Sequence, residues 1–135
     1  FKGYEKSNPN RVNNKRNVIY IQPVEKQIDE KFLTKLAAYC ETFFYPMKVK
    51  IGEYKNIKKN VHERINEYTE KKQYHAGDIL YELRKIVPEN AFCMIGVAVT
   101  DLYPRDSWNF VFGLASLADR SGVFSFARYD DRFYE

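Results

Sequence analysis

The chain has 135 residues, of which 44% are hydrophobic, 30% charged and 16% aromatic, with six Gly, five Pro and two Cys. That length and balance fit one globular domain with its own core, and exclude a disordered tail, a collagen-like repeat and a disulfide-stapled miniprotein. The formal charge of +4 is uneven: residues 1–72 carry 16 Lys and Arg against 9 Asp and Glu, and residues 73–135 carry 6 against 9. The basic excess therefore reads as solvated lysines around a packed first half, in preference to a surface for nucleic acid.

Residues 1–16 are polar, basic and aperiodic, which predicts an arm, with a single domain over residues 17–135. Val18-Ile19-Tyr20-Ile21, stopped by Pro23, reads as a buried strand. Ile28, Phe32, Leu33, Leu36, Tyr39, Cys40, Phe43 and Phe44 keep helical spacing, so an amphipathic helix is expected until Pro46. Met47, Val49 and Ile51 alternate with Lys48 and Lys50 as in a half-exposed strand, and residues 55–72 read as a lysine-rich surface loop, partly helical at most. A second helix is expected from Ala76 through Val87, before Pro88. Residues 91–99 are too apolar for a one-sided strand, which predicts a central strand covered on both faces. Residues 109–117 and 123–129, joined by a short turn, predict an antiparallel hairpin. The expected fold is α/β: a mixed, twisted five-stranded sheet with two backing helices.

Little in this pattern carries chemistry. Cys40 and Cys93 stand far apart without metal-type spacing, which predicts reduced thiols and an intracellular setting, cytoplasmic or nuclear. The longest apolar run, residues 91–99, is about half of what a bilayer-spanning helix needs, and no basic-then-apolar segment opens the chain, so a soluble protein with no membrane partner is expected. His62-Glu63-Arg64-Ile65-Asn66 begins like H-E-x-x-H, but Asn66 stands where the second imidazole is needed. His75 reads as support for the start of the second helix. Carboxylates such as Asp101, Asp106 and Asp119 are plentiful and unpaired by spacing, and the alternation in Phe124-Ser125-Phe126-Ala127-Arg128-Tyr129 reads as the packed face of a strand.

The run Asp101-Leu102-Tyr103-Pro104-Arg105-Asp106-Ser107-Trp108-Asn109-Phe110-Val111-Phe112-Gly113 closely resembles the archaemetzincins, zinc metallopeptidases of the metzincin clan. Ala115-Ser116-Leu117 and Gly122-Val123-Phe124-Ser125-Phe126-Ala127-Arg128-Tyr129 continue the likeness. Tyr20-Ile21-Gln22-Pro23, Tyr39-Cys40-Glu41, His75-Ala76-Gly77-Asp78-Ile79-Leu80 and Ala91-Phe92-Cys93 precede it in the same order. The resemblance implies the N-terminal, upper subdomain of a metzincin-like protease, serving peptide-bond hydrolysis. Zn2+ belongs to the intact family protein: the helix H-E-x-x-H-x-x-G-x-x-H and the cysteine-rich second zinc segment do not occur in this sequence. No catalytic or metal-ligating residue is therefore assigned, and this chain alone is expected to bind no zinc, to be inactive and to leave an apolar sheet face open.

The implied partners are a peptide substrate and the remaining C-terminal catalytic part, on the same protein or a second chain, without nucleic acid. In that clan an edge strand pairs with extended substrate, main chain to main chain. By its order this implies residues 109–117, with Phe112, Gly113, Leu114, Ala115 and Ser116 nearest the cleft; alternatively these small and apolar residues simply fill a hairpin. The alternative function is a non-catalytic binding module, or a truncated product without hydrolase activity.

Overall fold

The structure, a computed structural model, describes residues 11–135. Most of the expected arm lies outside them, and residues 11–16 form neither helix nor strand. The apolar run at the start becomes β1 (Val18–Pro23), which pairs in parallel with β2 (Lys48–Ile51) on one side and β5 (Ala91–Ala98) on the other. Beyond β5 lie β8 (Ser121–Ser125), parallel to it, and β7 (Gly113–Ser116), antiparallel to β8. The sheet order is β2-β1-β5-β8-β7, a mixed five-stranded sheet with β5 at its centre, as expected.

Two helices pack on opposite faces. α1 (Glu30–Phe43) starts at Asp29, whose carboxylate accepts from the Lys31 N–H at 2.9 Å, so the helix begins slightly after Ile28. Its Leu33, Leu36 and Cys40 pack with Ile21, Val49, Val97 and Phe126. α2 (Ala76–Leu83) places Ile79 and Leu83 against Met94, Ala98 and Val123 on the other face. The helix stops four residues short of Val87. Ile86 and Val87 pack against the same core from the turn that follows, so their apolarity reflects burial and not helical period.

Gly96 lets α2 lie close to β5, since a Cβ there would stand 2.8 Å from Leu83 Cδ1 and 3.1 Å from Val24 Cγ1. Gly96→Ala is expected to destabilise the fold by about 1–3 kcal/mol through overpacking. That exceeds the roughly 0.4–1 kcal/mol gained by stiffening the unfolded chain. A lower midpoint in urea unfolding, with an unchanged slope, checks it.

Three expectations need correction. The surface loop over residues 55–72 contains a 3-10 turn (Ile57–Asn60) and β3 (Glu63–Ile65). β3 pairs antiparallel with β4 (Lys72–His75), and β4 pairs with β6 (Asp101–Tyr103), making a second sheet of order β3-β4-β6. The Asn66 side chain closes the β3–β4 turn, accepting from Tyr68 and Thr69 N–H at 2.9 and 3.0 Å. The hairpin is shorter than residues 109–117 and 123–129. Phe112 precedes β7, and the chain after Ser125 turns into a 3-10 segment (Ala127–Tyr129) because the Ser125 hydroxyl accepts from Ala127 N–H at 3.1 Å. Lastly, β5 is not covered along its whole length on both faces. α1 lies over Ile21 and Val97, leaving Cys93 and Ile95 half-buried.

Candidate functional site

The edge strand is short, small and uncharged: Gly113-Leu114-Ala115-Ser116. Its direction follows from its neighbours. Arg120 O accepts from Met94 N–H at 2.9 Å and Phe126 N–H donates to Ala98 O at 2.9 Å, so even-numbered residues along β8 face β5. Odd-numbered ones face β7, as the Ser125 N–H donating to Phe112 O at 2.9 Å illustrates. Leu114 opposes Val123 and Ser116 opposes Ser121, so these two turn their peptide groups inward. Gly113 and Ala115, opposite Phe124 and Gly122, turn N–H and C=O outward, where no described strand pairs with them. Glycine is needed at 113 because a Cβ would meet Val123 O at 2.7 Å.

The five residues implied by the resemblance thus divide. Gly113 and Ala115 offer main-chain groups, Leu114 and Ser116 hold the strand to β8, and Phe112 leads in with its ring 5.5 Å from that of Tyr129. Beside them the uncovered face forms an apolar groove of about 820 Å³, walled by Cys93, Ile95, Leu114 and Phe124 from the sheet and by Tyr39 and Cys40 from α1. A chain of ring contacts crosses its end, from Phe32 on α1 to Phe126 at 4.9 Å and on to Phe124 at 5.0 Å.

The two free cysteines both line this groove. Burial pushes the Cys93 thiol up to about 11, with nearby Cys40 adding to it, and burial also raises Cys40. A rise from 9.0 to about 11 cuts the Cys93 thiolate fraction about a hundredfold at neutral pH, while the greater basicity returns about a factor of ten. Cys93 in the folded chain is therefore expected to react with iodoacetamide roughly tenfold more slowly than in urea, as read by mass spectrometry of quenched samples.

The fold also joins His62 and His75, which spacing left apart. His62 Nδ1 lies 2.7 Å from Asp78 Oδ2, and His75 Nδ1 accepts the Asp78 N–H at 3.1 Å, capping α2 as expected. Burial acts to raise the Asp78 carboxyl, but the bonds from His62 and the proximity of His75 outweigh it and hold it below the usual carboxylate range. Among the described residues, no three His, Cys, Asp or Glu side chains group so as to hold a metal ion. No described helix is long and apolar enough to cross a membrane.

No family model matches the chain. Among curated proteins, archaemetzincin-2 of Homo sapiens is 49% identical over 127 residues, covering 90% of this chain and 35% of that protein. Archaemetzincin-2 of Mus musculus is 48% identical over 126 residues, with 89% and 35% covered. The chain therefore spans about a third of the length of these relatives. Among solved structures, the archaemetzincin of Methanopyrus kandleri aligns with a TM-score of 0.58 at 23% identity, covering 90% of this chain and 66% of the other. It shares the fold described above.

Proposed function

We propose, from the premise that this chain is homologous to archaemetzincin-2 along 90% of its own length, that it is the N-terminal part of a zinc-dependent metallopeptidase. In this reading it supplies the strand on which an extended peptide is laid out for hydrolysis. The observation that carries it is the pair of outward peptide groups on Gly113 and Ala115, at an unpaired edge beside the groove. An extended peptide joined there gains ladder bonds at alternate residues, independent of its sequence. The groove, in turn, seats the zinc-bearing helix implied by the family. The groove is walled by the sheet on one side and by α1 on the other, with an apolar lining.

The described residues do not fit a zinc site themselves. No three His, Cys, Asp or Glu side chains among them converge, where a zinc site needs at least three ligands, and the Cys93 thiol is held protonated in an apolar wall. The steps assigned to this chain are therefore binding and orientation, with the metal's chemistry left to the rest of the protein. Two free thiols support an intracellular setting.

Hydrogen exchange on the zinc-containing intact protein tests the edge. Saturation with an extended, uncleaved peptide is expected to slow exchange of the Gly113 and Ala115 amides at least tenfold, and unchanged rates overturn the reading. A second reading, a peptide-binding module without hydrolysis, is favoured by the fact that strand addition needs only groups already in this chain. Peptide capture together with an intact protein that cleaves nothing would decide for it.

A further inference from the structure

Beneath residues 104–112, between the two sheets, lies the densest set of buried polar groups away from the groove. Asp101 is 2% exposed and receives a two-pronged guanidinium, Arg128 Nε to Oδ1 at 2.9 Å and an Nη to Oδ2 at 2.8 Å. The same guanidinium sits 3.5 Å from the centroid of the Phe110 ring. Gln73 Nε2 donates both to Asp101 Oδ2 at 2.8 Å and to Asn109 O at 2.9 Å. Arg64 and Asn66 donate to that same carbonyl at 3.0 and 2.9 Å.

Residues 109–112 are thus tied at every position. Asn109 is held through its carbonyl and Phe110 through its ring. Val111 N–H donates to Leu102 O at 2.9 Å, and Phe112 O accepts from Ser125 N–H. The next residue is Gly113, the first with outward peptide groups. We propose that Arg128 is a positioning residue for the edge strand: its fork on Asp101 and its plane on Phe110 set where Gly113 and Ala115 present their main chain to a peptide. This rests on the edge-strand reading above. A planar, bidentate group is required, because only a guanidinium makes the fork and the ring contact at once.

Arg128→Lys keeps the charge beside Asp101 but loses the fork and the plane, and Phe110→Leu loses the ring while keeping the ion pair. In the intact protein both are expected to speed exchange of the Leu114 and Ser116 amides about tenfold, leaving β1 and β5 amides and zinc content unchanged. The apparent KM for an extended peptide should rise about fivefold, with kcat within twofold. Unaltered Leu114 and Ser116 exchange in both variants, or acceleration spread equally over β1 and β5, overturns the proposal. So does a loosened edge with unchanged KM. If the wild-type protein neither binds nor cleaves peptide, the edge-strand reading fails on its own, and the exchange rates still decide whether Arg128 sets the edge.

Discussion

Ala115→Pro is expected to weaken capture of an extended peptide about tenfold while leaving the sheet folded, and Ser116→Pro to do the reverse. Proline removes an N–H. At Ala115 that N–H points outward, away from β8, so the loss falls on an added strand; a single backbone bond contributes about 0.5–1.5 kcal/mol net. At Ser116 the lost donor faces Ser121, leaving a ladder carbonyl unpaired at about 1–3 kcal/mol, and the ring intrudes on β8. Anisotropy titration of a labelled extended peptide, paired with urea unfolding of each variant, separates the two effects. Equal behaviour of the two variants would contradict the alternation derived from Phe112 and Ser125.

Arg128→Leu is expected to cost about 3–5 kcal/mol of folding stability, because it strands a buried carboxylate. Domains of this kind are stable by about 5–15 kcal/mol in total, so the loss is a large share. No discount for solvent applies, since the two side chains are 6% and 2% exposed. The neutral double variant Asp101→Asn with Arg128→Gln should recover part of the loss: the Gln73 donor still finds an amide oxygen, and no unpaired charge remains buried. Urea unfolding of the single and double variants measures both.

What was legible in the sequence was whatever was written as apolar period. The run at Val18, the stripe from Phe32 to Cys40 and the solid block at Ala91 each announce an element of the main sheet or its cover, and the mixed sheet follows. β3 and β4 escape notice because Tyr74 is their one buried apolar residue: Arg64 and Gln73 spend their side chains on Asn109 and Asp101, not on a hydrophobic face. The hairpin is over-read for the opposite reason. Phe110, Phe126 and Tyr129 look like strand residues, yet they serve ring contacts past the end of the ladder. His62 and Asp78 are 16 positions apart, so only the fold brings them together. Nor does any residue type reveal which peptide groups on β7 face out; that parity follows from the β7–β8 register and the backbone bonds flanking β8. The functional assignment itself comes from resemblance, because the chemistry-bearing residues of the family are not in this stretch.

The two rims of the main sheet differ in how they meet a stranger. β2 carries exposed Lys48 and Lys50, which repel a second copy of themselves and discourage docking along that rim, whereas β7 carries no charge at all. Self-association of this chain is therefore expected to be directional and self-limiting. Two β7 rims can join antiparallel about a twofold axis, which uses up both and leaves the main sheets only their lysine-bearing rims outside. A head-to-tail filament would need β7 to accept β2 at every junction, and the lysines oppose each one. The asymmetry between the two rims is therefore expected to limit association through the main sheet to a pair.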